Sequence, residues 1–325
     1  MTGLAMKTIN DRIIDAIKNQ LPYNKKLVAY LEDLLDISKE SAYRRIRGEI
    51  AFSIEELTSV AKDLNLSVDE ILGSDSIKRN QYEVPEGILS DPVNGLAQTL
   101  RVSTEFVKRV SESENSEVII AFNHLSLIIH IRLEYVFKFL YYKYLKLTQD
   151  FPLNFYFSDL VLPAHIKSLR DEYFNYFQQI KNVTFIIDEN TLSRFIKEVL
   201  YYYDRKLISK EELLLIQKDL YELIDVTYRM TIRGKNDSGS TINIYLSLFD
   251  ITSTSSYIEY DDISMIRLWI NTITPLNLFD SDIVAVQKKW FTSLKRQSTL
   301  ITQSGEMQQS EYLNKQRTLI DEMLT

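Results

Sequence analysis

Leu31 to Gly48 reads LEDLLDISKESAYRRIRG, and this stretch decides the N-terminal fold. Leu34, Leu35 and Ile37 form an apolar anchor at the end of one helical run. Asp36 falls in the tight turn that follows, where aspartate tolerates a left-handed backbone. Ser38 is placed to cap the next helix, which is expected to run to about Arg47 and stop at Gly48. With about 100° of rotation per residue, Ala42, Tyr43 and Ile46 fall together and are expected to face inward. Glu40, Ser41, Arg44 and Arg45 then point outward, with Arg47 at the edge and Lys39 in the first turn.

The segments on either side carry the same kind of punctuation. Asn10 to Leu21 places Ile13, Ile14, Ile17 and Leu21 on one helical face, and Pro22 ends it. Lys26 to Leu35 does likewise with Leu27, Val28, Leu31, Leu34 and Leu35. Ser53 followed by Glu56 makes a capping box, in which serine accepts from the backbone and glutamate reaches back to the cap. Ser67 with Glu70 repeats it, and Gly73 closes that short helix. Five short helices, each with one apolar face, predict a compact unit over residues 1–73.

Lys39, Arg44, Arg45 and Arg47 are the densest basic cluster of that unit. A DNA major groove admits one helix, and base edges are read from near the helix N-terminus by Arg, Lys, Asn, Gln or Ser. The LLDIS turn, the exposed KESAYRRIRGE helix and the capped SIEELTSVAKDLNLSVDEIL pair resemble the Cro/repressor (Xre-like) helix-turn-helix family. More narrowly, SAYRRIRGE followed by such a pair is similar to a group of Xre-type regulators from Bacteroidetes that carry a long C-terminal domain. The resemblance implies that Lys39, Glu40, Ser41 and Arg44 lie where bases are contacted, and that Arg45 and Arg47 contact phosphates. Asp36 departs from the glycine or asparagine usual in that turn.

Residues 74–95, with Pro85, Gly87, Pro92 and Gly95 and no periodic pattern, read as a linker. Residues 96–233 read as helical, with the apolar Val118 to Leu145 region as a buried helix and a short strand at Thr184 to Ile187. Asn123, His124, His130, Arg132, Glu134 and Lys138 interrupt that apolar region and argue against a membrane span. Alternation in Thr241 to Ile251, then Tyr257 to Tyr260 and Met265 to Thr272, predicts a small antiparallel meander over 241–272. Helices are expected over 281–324, with Trp269 packing on Trp290 to seal the meander. The fold class is therefore mainly α: a five-helix unit, then a helix-rich α+β domain over 96–325.

The 325 residues hold no cysteine, which excludes disulfides, thiolate metal sites and cysteine nucleophiles. The net charge of −7 does not itself favour nucleic acid, so the local cluster carries that reading. His124 and His130 stand six residues apart, which does not stack them on one helical face, and no metal, cofactor or catalytic group is expected. Asp261-Asp262 and Asp280 with Asp282 read as turn and cap chemistry, and the runs Tyr141-Tyr142 and Tyr201 to Tyr203 as aromatic core. The expected function is a cytoplasmic, sequence-specific transcriptional regulator and not an enzyme. It would bind double-stranded DNA as a homodimer, with a C-terminal domain for dimerisation or for a small-molecule or protein effector. The alternative is a DNA-binding interaction protein, an antitoxin or phage-related factor, whose C-terminal domain holds a protein partner.

Overall fold

A computed structural model of the chain describes residues 8–21, 26–64, 68, 92–127, 129–149, 151–270 and 273–324. Two compact units divide the chain, Met1–Gln81 and Tyr82–Thr325.

The first unit holds α1 (Ile9–Gln20), α2 (Leu27–Leu35), α3 (Lys39–Ile46) and α4 (Ile54–Asp63). Thr8 and Asp11 cap α1, and Ser53 and Glu56 cap α4, each as a full capping box. Their inward faces converge on Ile13, Ile17, Leu31, Ala42 and Val60, all buried. The expected fifth helix, with Ser67, Glu70 and Gly73, lies outside the described residues apart from Val68.

In the second unit the helices are α5 (Pro92–Glu112), α6 (Glu134–Thr148), α7 (Ala164–Phe177), α8 (Thr191–Asp204), α9 (Lys210–Arg233), α10 (Ser281–Gln297) and α11 (Glu306–Asp321). The strands are β1 (Glu117–Phe122), β2 (Asn182–Asp188), β3 (Thr241–Ser247), β4 (Ser255–Tyr260), β5 (Ile263–Ile270), β6 (Thr274–Leu278) and β7 (Thr299–Leu300). Together they form one seven-stranded sheet in the order β6-β5-β4-β1-β2-β3-β7. β1, β2 and β3 are parallel neighbours, while β4 runs antiparallel to β1 and β7 antiparallel to β3.

The three parallel strands follow in chain order, and right-handed crossovers of that kind place their helices on one face. Val118 and Ile120 of β1, Val183 of β2 and Ile242 of β3 pack there against Phe137 of α6, Ile166 of α7, Phe195 of α8 and Ile216 of α9. On the other face, among the described residues, α10 packs Val284, Phe291 and Leu294 against Ile119, Ala121, Ile186 and Ile266.

Several expectations change here. The Val118 to Leu145 region is a buried strand, β1, followed by a connection and then α6, not one helix. A strand buried on both faces gives a continuous apolar run that periodicity cannot tell from a buried helix. The meander is β4-β5-β6, whereas β3 pairs with β2 and β7 on the far side of the sheet. The sheet is thus larger and more mixed than a small meander, although helix dominates the chain. Pro92 to Gly95 begin α5 instead of ending a linker, since proline is tolerated in a helix's first turn. Trp269 packs with the core on the α5 side, whereas Trp290 stands half-exposed on α10 on the opposite face, so the two do not meet.

Asp261 takes a left-handed φ of 48° in the β4–β5 turn, and Asp280 caps α10 by accepting from the amides of Asp282 and Ile283. Tyr141 and Tyr142 are fully buried, while Tyr201 is exposed. No described helix is long and apolar enough to cross a membrane.

Candidate nucleic-acid interface

α2 and α3 are joined by a turn whose geometry the sequence dictates. Asp36 adopts φ 50° and ψ 49°, the left-handed conformation expected of it. Ser38 then caps α3, its Oγ accepting from the Ser41 amide at 3.3 Å. At the other end Gly48 takes φ 75°, and the Glu49 amide returns to the Arg44 carbonyl at 2.8 Å. A left-handed residue at that place is ordinarily glycine, because a side chain there is strained.

α3 buries Ala42 and packs Ile46 against the unit's core. Lys39, Glu40, Arg44 and Arg47 are exposed, as the helical wheel expects, and Ser41 is half-buried. Two assignments differ. Tyr43 is 40% exposed, because it lies about 100° round from Ala42 at the rim of the buried stripe. Arg45 is not on the outward face: its side chain is 12% exposed and is held by Glu56 of α4. Its Nε donates to Glu56 Oε2 at 3.1 Å and its Nη2 to Oε1 at 2.6 Å, a two-pronged pair.

Arg45 also turns back on its own helix. Nη1 donates to Ser41 Oγ at 2.6 Å and to the Ser41 carbonyl at 3.3 Å. The Ser41 hydroxyl, accepting from Arg45, keeps its own proton for a donor contact outward. Glu56 thus serves twice, since Oε2 also accepts from the Ser53 amide at 3.0 Å. Burial would raise its pKa, but the Arg45 hydrogen bond and the Ser53 amide outweigh this and hold it below the usual carboxylate range.

Asn10 of α1 was not among the expected site residues, yet it fixes the far end of α3. Its Nδ2 donates to the carbonyls of Arg45 at 3.3 Å and Ile50 at 2.9 Å, and its Oδ1 accepts from the Phe52 amide at 3.4 Å. An asparagine near a helix start reads as a cap, so the sequence gives no sign of a contact some 40 residues away. Tyr30, buried in the same unit, donates to Asp63 Oδ2 at 2.8 Å and ties α2 to α4.

The exposed cations are lightly tethered. Arg47 meets Glu49 at 2.6 Å and Glu40 at 3.7 Å, and Arg44 meets Glu49 at 3.6 Å. Exposed pairs of this kind contribute only about 0–1 kcal/mol each, so a phosphate can displace them. The arrangement therefore presents one rigidly held helix whose outer face carries Lys39, Tyr43, Arg44 and Arg47. Among the described residues no group of His, Asp and Glu side chains is arranged to hold a metal ion.

No curated protein and no solved structure matches the chain. Residues 6–105 match the family model of the BetR domain, a helix-turn-helix DNA-binding domain, in a stretch that takes in α1 to α4 and runs into α5.

Proposed function

We propose that the chain is a sequence-specific transcriptional regulator whose α3 enters the DNA major groove. The observation that carries this reading is the exposed face of α3, fixed at one end by Asn10 and along its side by the Arg45–Glu56 pair. Lys39, Glu40 and Ser41 lie at the amino-terminal end of that helix, where base edges are read, and Arg44 follows in its last turn, exposed on the outer face. Arg47 suits a phosphate. Arg45 acts through Ser41 and Glu56 and is a positioning residue, not a phosphate ligand. Tyr43 joins the set as a hydroxyl for a phosphate or a ring for a thymine methyl.

The finer parts of the reading rest on the sequence alone: an Xre-type regulator similar to the Bacteroidetes group, working in the cytoplasm. A single recognition helix reaches few base pairs, which favours a homodimer on a pseudo-palindromic site. The second unit would supply dimerisation or effector sensing, and the proposal gives it no chemical step. Mapping DNA occupancy across the genome for wild type and Arg44→Ala tests the assignment. The variant is expected to lose its specific sites, with about 1–3 kcal/mol of base discrimination removed. Unchanged occupancy overturns it, as does binding in vitro that is indifferent to salt.

A further inference from the structure

Between α5, α7 and the sheet lies a cavity of about 30 Å³, walled by Val110, Val118, Tyr173, Ser256, Arg267 and Trp269 among others. A water needs roughly 10–15 Å³ of such space, so the cavity offers two to three waters' worth of volume. Most of the wall is apolar, and its polar exceptions are notable for their chemistry. Arg267 is 3% exposed. Its Nε donates to Asn277 Oδ1 at 2.8 Å, and its guanidinium carbon sits 3.9 Å from the Phe106 ring centre. No carboxylate among the described residues pairs with it. Trp269, on the same face two residues along, has its Nε1–H buried without an acceptor. Ser256 is the cross-strand partner of Arg267, and Asn277 is the partner on the other side.

We propose that this cavity is a binding site for a small planar monoanion, a carboxylate with at most a short apolar tail. The guanidinium, the indole N–H and the Ser256 hydroxyl are all donors. A two-oxygen anion fits the fork left open by Nη1 and Nη2, while Asn277 occupies Nε. A buried cation without a counter-charge is costly, and burial pushes the Arg267 guanidinium down to about 10. An anion would relieve that cost, and the volume limits it to about three or four heavy atoms, the size of formate or acetate. The apolar walls favour a methyl tail over a hydrated inorganic ion. The inference is independent of the DNA-binding reading.

The test uses the full chain with Trp290→Phe, so that Trp269 is the one tryptophan left to report. Sodium formate, acetate, propionate, nitrate and chloride are titrated at constant ionic strength while indole emission is followed. A saturable change with formate or acetate, absent with chloride, is expected. Arg267→Met should weaken acetate at least about tenfold, the loss of hydrogen bonds to a charged group. Should that variant fail to fold, Val110→Leu with Val118→Ile narrows the cavity and leaves the charge, and it too should weaken acetate. No saturable change, an equal response to chloride, or unaltered affinity in the narrowed variant overturns the proposal.

Discussion

The two units treat their buried charges differently. In the first, Arg45 is matched by an opposite charge, Glu56, which also caps its own helix. In the second, Arg170 and Asp219 are buried and held by backbone groups instead, although the buried Asp188 there does meet Arg194 at 3.0 Å. Arg170 of α7 donates through Nε and Nη2 to the Ile131 carbonyl at 2.8 and 2.6 Å. Asp219 of α9 accepts from the amides of Tyr135 and Val136 at 2.6 and 3.0 Å. Between them they hold the entry to α6, whose own N-cap, Leu133, makes no side-chain cap. A helix that lacks a local cap has been given one by two distant helices. Local caps thus open α1, α3 and α4 of the first unit, whereas tertiary contacts hold the entry to α6 in the second.

The sharpest way to break that comparison is Arg170→Ala. The substitution leaves the Ile131 carbonyl buried without its donor and removes the stack on Phe137, 4.3 Å from the guanidinium carbon. A buried carbonyl left unmade costs about 1–3 kcal/mol, and the cavity left by the large side chain adds to this, which should appear as a large drop in the thermal midpoint of the second unit. A midpoint within a degree or two of wild type would mean that α6 is held by packing alone.

Acid offers a second separation, because all three histidines lie in the second unit. His130 is buried with its Nδ1 accepting from the Ser126 amide at 3.1 Å. Burial lowers its pKa to about 4, against the Ser126 carbonyl 3.0 Å from Nδ1, which favours the protonated ring. The unfolded chain therefore binds a proton more readily, and stability is lost as pH falls from about 6.5 toward about 4, by roughly 3 kcal/mol at most. In the first unit the depressed Glu56 carboxylate adds stability above the ordinary glutamate pKa and loses it only as pH falls below that. Both tryptophans, Trp269 and Trp290, report on the second unit. Their emission should therefore mark an acid transition at higher pH than the loss of DNA-competent helix. His130→Gln should remove part of that transition, the rest belonging to His124, which burial also pushes down to about 4; an unchanged transition would mean that His130 is not a source of it.

Asp219→Ala is the next step down. The amides of Tyr135 and Val136 would lose their acceptor, at about 1–3 kcal/mol for a buried group left unmade. Asp219→Asn, which keeps one oxygen, should recover most of this. Burial raises the Asp219 pKa, ahead of the two amide bonds that lower it, so the asparagine variant also removes a desolvation cost. Chemical denaturation of the three proteins at neutral pH checks the order wild type, asparagine, alanine.

The same difference explains what the sequence disclosed. Ser38, Ser53, Asp36 and Gly48, and Glu56 in its capping role, act on residues within five positions of themselves, so the α2–turn–α3 frame and the caps were legible. Arg45 was not, because its partner lies on another helix and a wheel records only direction from one axis. β1 was hidden since Ile119 and Ala121 serve one core while Val118, Ile120 and Phe122 serve the other, erasing the alternation. β3 was recognised as a strand because its outer positions are more polar, but its neighbours were wrong: pairing across 59 residues, as in Asn182 with Thr241, has no local signal. Among the proposed DNA contacts, Lys39, Glu40, Arg44 and Arg47 were placed on the exposed face by the wheel alone.

The smallest effect asks whether the Arg45–Glu56 pair stabilises the first unit or orients its surface. Arg45→Met and Glu56→Met each leave one buried partner unmatched, and each should cost about 1–3 kcal/mol. The double substitution removes both charges and should regain part of that, because a buried pair is often no better than apolar packing of the same volume. Stability alone therefore separates the roles poorly. DNA affinity does so better, since Arg45 holds the Ser41 hydroxyl at 2.6 Å and only its presence directs that donor outward. If the pair is positional, the double variant folds nearly as well as wild type yet binds its specific site several-fold more weakly, a change of about 1 kcal/mol, with non-specific affinity and salt slope preserved. A fall in non-specific affinity with a shallower salt slope would instead make Arg45 a phosphate ligand, the role its helix position had suggested.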